Sequence, residues 1–323
     1  MLDGFQIQAL AADELITEPG FYRIPIEHHH NQPCAGPSVT SSVLRTLELG
    51  SPADVWAYHA LNPNRYERKD KASLTMGQAM ASYIEGGMAE LFRLFYVLPE
   101  DKPNKPTAAQ IKAIEEGRGT DAGFKSFAFW AKVDADPRSV LTQDQWDLIC
   151  AMGEVVREDP AAQMALGGLP EITMAWFDEA TQLWCLSRPD QLSLSGMLSD
   201  YKKVNTQGRP FTAGTVDHKI TSYGYGMQMA FAAEAFEMLT QQWPEQVGLV
   251  FQHDEPPYSV ILRAIDEEDL RMDMFRNCRA RRRFRECLDA GNWPGPGEHV
   301  GSYRRPKEQR ERLIEQMATE GAA

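Results

Sequence analysis

Two aspartates and a lysine in the stretch "LSRPDQLSLSGMLSDYKKV" have types and spacing that suit a metal ion acting on a phosphate. Asp190 follows an Arg-Pro pair, and Asp200 precedes Lys202 by two positions. Two close carboxylates repel each other unless a cation holds them, and hard oxygen ligands favour Mg²⁺ or Mn²⁺. A lysine beside the metal can orient a water or help to deprotonate it, while the metal stabilises charge on the phosphate. The pattern therefore predicts metal-assisted chemistry on a phosphate.

Strands must bring these side chains together. "LWCLSRPDQL" and "MLSDYKKV" alternate apolar and polar residues and predict neighbouring strands, so Asp190 and Asp200 converge at one end of a sheet. Residues two apart on a strand face the same side, which places Lys202 with Asp200. The preceding segment "EITMAWFDE" also predicts a strand, and its Glu171 is placed to supply a further carboxylate. By itself the D…DxK pattern also fits a turn aspartate and a surface ion pair.

The remaining chain predicts helices around that sheet. Helical patterns occupy "PSVTSSVLRTLEL", "SPADVWAYHAL", "LTMGQAMASYIEGGMAELFRLF" and "TQDQWDLICAMGEVVRED". "TSYGYGMQMAFAAEAFEMLTQQW" predicts one long helix, "QVGLVFQHD" and "YSVILRAI" predict two strands, and "DEEDLRMDMFRNCRARRRFRECLDAG" predicts a charged helix that ends at Gly291. We expect an α/β fold with a central mixed sheet flanked by helices.

Composition limits the classes of function. The chain has 323 residues, 43% of them hydrophobic, which is enough for a full core. A net charge of -13 argues against a protein that coats nucleic acid, although it allows a local basic groove. Five cysteines without a CxxC pair predict neither a zinc nor an iron-sulfur site. Without a bilayer-length apolar run or a basic N-terminus, we expect a cytoplasmic protein that has no membrane contact.

The same stretch resembles the core motif of the PD-(D/E)XK nuclease superfamily, specifically the exodeoxyribonuclease VIII (RecE) type of phages and prophages. "LPEITMAWFDE" resembles the family's upstream strand, "YGYGMQMAF" its glutamine helix, and "YRIPIEHHHNQPCAGPSVTSSVLRTLELGSPADVW" its entry segment. The resemblance implies an entry segment at 1–37, a helical N-terminal portion at 38–165, a restriction-endonuclease-like core at 166–300 and a tail at 301–323.

It also implies a role for each site residue. Asp190, Asp200 and the Tyr201 carbonyl would be metal ligands, and Glu171 would be an accessory acid and ligand. Lys202 would be the catalytic lysine, and Gln228 would order the active site.

Several further residues are candidates for DNA binding. Arg276, Arg279 and Arg283 share one face of the charged helix and could follow phosphates, or they could form a solvated face paired with upstream acids. The candidates nearer the expected metal are Arg188, Lys203, Lys219 and Tyr225.

The resemblance implies a Mg²⁺-dependent exonuclease, with Mn²⁺ as a substitute, that digests linear duplex DNA 5′ to 3′ and leaves 3′ single-stranded tails. It further implies a homo-oligomeric ring around DNA and a RecT-like annealing partner. Two positions depart from the family: Ala232 stands where an aromatic is usual, and Ala81 where a histidine is frequent. A non-catalytic DNA-binding or assembly module that keeps the nuclease fold, and a restriction-like endonuclease, therefore remain alternatives.

Overall fold

The computed structural model describes residues 6–11, 13–67, 72–297 and 302–320. The strands are β1 (Ile7–Ala9), β2 (Gly20–Arg23), β3 (Ser38–Thr40), β4 (Phe95–Val97), β5 (Ser139–Leu141), β6 (Leu169–Pro170), β7 (Thr173–Asp178), β8 (Leu183–Ser187), β9 (Gln191–Leu192), β10 (Met197–Val204), β11 (Gln246–His253) and β12 (Val260–Ala264). The helices are α1 (Ile26–His29), α2 (Ser41–Leu49), α3 (Pro52–Trp56), α4 (Ala72–Leu94), α5 (Ala108–Glu115), α6 (Asp121–Asp134), α7 (Gln143–Glu158), α8 (Pro160–Leu166), α9 (Ala213–Ser222), α10 (Tyr225–Thr240), α11 (Glu267–Ala290) and α12 (Lys307–Glu320). Among the described helices, none combines the length and the apolar character that a bilayer crossing requires.

The central sheet is mixed and is present as two five-stranded halves, ordered β1-β2-β7-β8-β3 and β12-β11-β10-β9-β6. One bent hairpin joins the two halves. Its first arm contains β6 and then β7, and its second arm contains β8 and then β9, so each arm has one strand in each half. At the bend the Glu171 N–H donates to the Asp190 carbonyl at 3.1 Å. The expected mixed sheet flanked by helices is therefore confirmed, with the site acids at the junction of its halves.

The connection from β10 to β11 differs from the expectation. These strands pair in parallel, and the crossover between them contains two helices, α9 and α10, where the sequence predicted one. The break lies at Gly224, whose φ of 63° is left-handed. Glycine adopts that conformation without the penalty of a Cβ, and a Cβ there would also lie 3.1 Å from Leu49 Cδ1. The prediction of one continuous helix was wrong because this turn ends α9 and starts α10.

Helix α10 is the centre of the main core. Its buried face is built largely from alanines, Ala230, Ala232, Ala233 and Ala235, which let it approach strands of both sheet halves. Phe231 packs on Trp176 of β7 with ring centroids 4.7 Å apart. Helix α11 packs on α10 and on α2 and ends at a left-handed Gly291, as predicted.

A second core forms between α4 and α7. Gly153 of α7 lies against the Tyr83 ring of α4, where an added Cβ would be 2.2 Å from the ring, so a glycine is required for this close approach. Val250 of β11 belongs to the same cluster and ties it to the sheet. Helix α4 is interrupted at Gly87, which has a φ of 63°. Helix α7 thus supports α4 from behind, and α4 lines the cleft beside Asp190.

Candidate active site

The two aspartates meet where the bent hairpin approaches β10. The Asp190 N–H donates to Asp200 Oδ1 at 3.3 Å, and Asp190 Oδ2 accepts the Tyr201 N–H at 2.7 Å. The Lys202 ammonium forms an ion pair with Asp200 Oδ2. Asp200 is only 1% exposed. The strand spacing thus brings together the three side chains that the sequence singled out.

The Tyr201 carbonyl is oriented toward the same point. The N–H and C=O of one strand residue point to the same side, and the Tyr201 N–H is bonded to Asp190. The pairing of β9 with β10 covers Leu198 and Ser199 and stops short of Tyr201. Its carbonyl therefore faces the aspartates at a position where the strand ladder has ended.

Burial and like charge both act on the acids. Burial raises the pKa of Asp190 well above its ordinary value, and the charge of Asp200 raises it further. Burial alone would lower the pKa of Lys202, but the two neighbouring carboxylates outweigh it and the pKa is raised. Lys202 is consequently an ammonium at neutral pH.

Glu171 lies at the hairpin bend with a left-handed φ of 57°, a strained conformation for a residue with a side chain. Its Oε2 pairs with Arg188, which also donates to the Ile24 carbonyl at 2.8 Å. Arg188, proposed as a DNA contact, is therefore occupied by a carboxylate and a carbonyl, and its side chain is 11% exposed. It holds Glu171 at the bend beside Asp190.

Helix α10 presents two predicted residues near its start. The Lys202 ammonium lies 4.9 Å from the centroid of the Tyr225 ring. Gln228 follows one turn later on the same face, and its buried Oε1 has no hydrogen-bond partner among the described residues. The first turn of α10 therefore brings an aromatic ring to Lys202 and an amide oxygen without a hydrogen-bond partner among the described residues to the same helix face.

Arg45 of α2 is a site residue that sequence reasoning missed. Its guanidinium lies 5.8 Å from the Tyr225 ring centroid and donates to the Tyr223 carbonyl at 3.4 Å. Burial lowers the pKa of Arg45, and the charge of Asp200 acts in the opposite direction. In the sequence, the indication for Arg45 was that it is the one basic residue of α2 and lies beside the apolar face of that helix.

A cleft of about 990 Å³ opens over the site. Hairpin and strand residues line one side: Glu171, Arg188, Asp190, Lys202 and Lys203. Helix α4 supplies part of the other side, through Gln78, Ala81, Ser82 and Glu85. Ala81, one of the two departures from the resembled motif, thus faces the cleft.

The other candidate DNA contacts lie in different surroundings. Lys203 lines the cleft and donates to Asp254 at 2.8 Å. Arg276 and Arg279 pair with Glu48 of α2, and Arg283 is exposed farther along α11. The structure thus brings Lys203 to the site and leaves the α11 arginines beside α2. Their role in DNA binding stays a prediction.

The loop after β11 holds a second group of potential ligands. Ligand atoms of His253, Asp254 and Glu255 lie within 4.8 Å of one another. However, His253 Nε2 is 3.0 Å from Thr206 Oγ1, and Asp254 pairs with Lys203. These contacts explain His253 and Asp254 as residues that hold the loop in place.

Residues 41–306 match the family model described as "PDDEXK-like domain of unknown function (DUF3799)". The chain belongs to this family. A similar fold occurs in a crystal structure from Eubacterium rectale, named "Putative exonuclease". The two chains share 13% identity over 88% of this chain and 96% of that one, with a TM-score of 0.53. No curated protein matches significantly. The predicted superfamily and fold are confirmed, and the closer resemblance to the RecE type stays a prediction.

The donor set of this PDDEXK-like domain fits a hard divalent cation. Its oxygens come from two adjacent carboxylates and a backbone carbonyl, the ligands that Mg²⁺ and Mn²⁺ prefer. Buried Asp200 Oδ2 has the Lys202 ammonium as its charged partner and makes no further hydrogen bond among the described residues. Its remaining lone pair is available to a cation.

Proposed function

We propose that this PDDEXK-like domain is a Mg²⁺-dependent exodeoxyribonuclease, with Mn²⁺ as a substitute, that hydrolyses linear double-stranded DNA. The observation that carries the proposal is the meeting of Asp190, Asp200 and Lys202 beside an open cleft, which Asp190 and Lys202 line. Asp190 is a buried acid of raised pKa beside a second buried carboxylate, which is costly for the fold, and a cation-dependent reaction accounts for that cost.

Asp190, Asp200, Glu171 and the Tyr201 carbonyl would hold the cation, which supplies charge neutralisation at the phosphate and lowers the pKa of a water. Lys202 keeps its proton, as its raised pKa indicates, so its ammonium orients the attacking water and stabilises charge on the phosphate. The free Gln228 Oε1 can accept a hydrogen bond from that water or from Lys202. Arg188 fixes Glu171 so that its carboxylate stays at the bend.

The finer features rest on the resemblance to the RecE type. They are 5′ to 3′ digestion that leaves 3′ tails, a homo-oligomeric ring and a RecT-like annealing partner. The charge of -13 supports the ring, because enclosure of the duplex would replace part of the electrostatic affinity that the chain lacks. Lys203, Lys219 and Tyr225 would contact DNA near the cleft, and Arg276, Arg279 and Arg283 would follow phosphates along α11.

A non-catalytic DNA-binding module is the second candidate, and the observation that favours it is Ala81 in the cleft wall. Ala232 supports it less, because this residue is 1% exposed in the α10 core and any larger side chain there would have to fit between helix and strands. The retained ion cluster around Asp200 favours catalysis.

The test uses linear duplex DNA labelled at one 5′ end, with Mg²⁺, Mn²⁺ or EDTA, beside a closed circular plasmid. We expect metal-dependent release of label from the linear DNA alone and none from the Asp200→Asn variant. Asp217→Asn, which alters a surface ion pair with Arg263, is the matched control and should cleave normally. Cutting of the closed circle would indicate an endonuclease, and no cutting with either metal would leave the non-catalytic module.

A further inference from the structure

Two stacked tyrosines extend from the catalytic lysine to the protein surface. The Tyr225 ring centroid is 4.9 Å from the Lys202 ammonium and 5.6 Å from the Tyr223 ring centroid, and the two rings are inclined by 20°. The Lys219 ammonium lies 5.4 Å from the Tyr223 ring centroid. Cations and aromatic rings therefore alternate in the order Lys202, Tyr225, Tyr223, Lys219.

The helix break at Gly224 creates this arrangement. Tyr223 is the last residue before the break and Tyr225 the first residue of α10. In a continuous helix, residues two apart point in different directions, whereas the left-handed glycine allows these two rings to stack. The Arg45 bond to the Tyr223 carbonyl fixes the turn. The segment "SYGYG" thus folds locally into a paired aromatic surface.

The outer part of this surface has the character of a binding site. Tyr223 is 54% exposed, and Leu49, whose Cδ1 lies near the turn at Gly224, is 48% exposed. Lys219 has no carboxylate partner among the residues that the structure describes, although acids are more numerous than bases in the chain. An exposed ring beside an unneutralised ammonium suits a ligand that combines a flat apolar face with a negative charge.

We propose that Tyr223, Tyr225 and Lys219 form a stacking platform for unpaired nucleotides of the DNA strand that enters the active site. This inference rests on the proposed nuclease function and specifies the form of its substrate. A base offers its flat face for stacking only when it is unpaired or at a strand end, and its phosphate would reach Lys219. Because Tyr225 contacts Lys202, a strand that stacks on the platform arrives at the catalytic lysine already separated from its complement.

The test measures binding to a labelled twelve-nucleotide oligothymidylate in EDTA, so it does not depend on cleavage. Tyr223→Ala should bind about tenfold more weakly than the wild-type chain, since base–aromatic stacking contributes at this level, and Tyr223→Phe should bind within about twofold of wild type. Tyr303→Ala removes another exposed tyrosine and serves as the matched control, with unchanged affinity. Thermal unfolding of each variant checks that the fold is retained.

An oligonucleotide with abasic sites separates stacking from charge. On that probe Tyr223→Ala and wild type should bind equally, because the bases are missing and the phosphates remain. Lys219→Ala should weaken binding to both probes, and this loss should shrink at higher salt. The Tyr223→Ala loss on the intact oligonucleotide should persist as salt is raised.

Three results would overturn the proposal: no measurable binding of wild type to the oligothymidylate, equal affinity of Tyr223→Ala and wild type, or the same Tyr223→Ala loss on the abasic probe. The second result would assign the exposed tyrosine to another partner, such as a protein. If the chain binds the oligonucleotide through Tyr223 but releases no label from duplex DNA, the stacking platform is supported and the exonuclease function is refuted. The two failures are therefore distinguishable.

Discussion

Asp190→Asn should stabilise the metal-free protein and abolish its response to metal. Asparagine keeps an oxygen that accepts the Tyr201 N–H, now bonded at 2.7 Å, and removes one of two adjacent buried charges. Because the pKa of Asp190 is raised above 3.8, the folded chain holds this proton more tightly than the unfolded chain does. The carboxylate therefore destabilises the fold increasingly as pH rises above that value, and the gain from asparagine is largest at neutral pH.

The magnitude follows from the charges around Asp190. Repulsion between unit charges about 4 Å apart at an effective dielectric constant of about 20 is about 4 kcal/mol, and attraction to Lys202 cancels much of it. With the burial cost included, we expect a net gain of about 2 kcal/mol at pH 7 in EDTA, or about 4 °C in Tm for a chain of this size. Wild type, in contrast, should gain about 2.7 kcal/mol in Mg²⁺ at one hundred times its Kd, which the variant should lose.

The assay is thermal unfolding at pH 4 and pH 7, in EDTA and in Mg²⁺ or Mn²⁺. Asp217→Asn, at a surface pair with Arg263, is the control and should change stability by less than about 1 kcal/mol while keeping the metal response. The reasoning is refuted if Asp190→Asn is less stable than wild type in EDTA at pH 7, or if it keeps the full stabilisation by metal.

Three further changes test buried polar groups of the fold, and the first of these groups contacts Tyr201 of the candidate site. Gln252→Leu removes the buried amide that accepts the Tyr201 hydroxyl at 2.6 Å, and should cost about 2–3 kcal/mol in urea unfolding and lower kcat. Burial lowers the pKa of His59 from 6.5 to about 4. Wild type should therefore lose up to about 3 kcal/mol of folding stability as the pH falls from 6.5 to 4, and thermal unfolding of His59→Leu should depend less on pH. Arg281→Met leaves Glu234, its partner at 2.6 Å, unpaired in the core and should cost about 3–5 kcal/mol in urea.

Each of these has an outcome that contradicts it. An unchanged urea midpoint for Gln252→Leu would show that its amide is dispensable, and pH profiles of equal slope would remove His59 as the acid-sensitive group. For the buried arginine the control is Arg271→Met, whose exposed pair with Glu237 should contribute less than about 1 kcal/mol. Equal losses at the two arginines would refute the role of burial.

The pair of aspartates could be predicted because its geometry is local. Asp190 immediately precedes β9 and Asp200 lies on β10, and the short turn between these two paired strands brings the aspartates together. The same holds for the end of α11 at Gly291, which depends on one glycine. Structural features that depend on residues close together in the sequence could therefore be predicted from its patterns.

Contacts between residues far apart in the sequence could not be predicted. Arg45 reaches the site through a bond to a residue 178 positions away, and the pairing of Arg276 with Glu48 spans 228 positions. Nothing in either segment indicates its partner. The break at Gly224 was missed for a different reason, since the predicted helix continues through residue 224 and the left-handed turn is evident only in the structure. The expected roles of the site residues came instead from the superfamily resemblance.

The bent hairpin couples the candidate ligands to any relative motion of the two sheet halves. Glu171 and Asp190 lie at the bend where the halves meet, while Asp200 belongs to β10 of one half. A motion of one half against the other would act first on the bend, where the Glu171 N–H donates to the Asp190 carbonyl. Hydrogen exchange at the Glu171 amide, which bridges the two arms of the bend, would report the frequency of such openings.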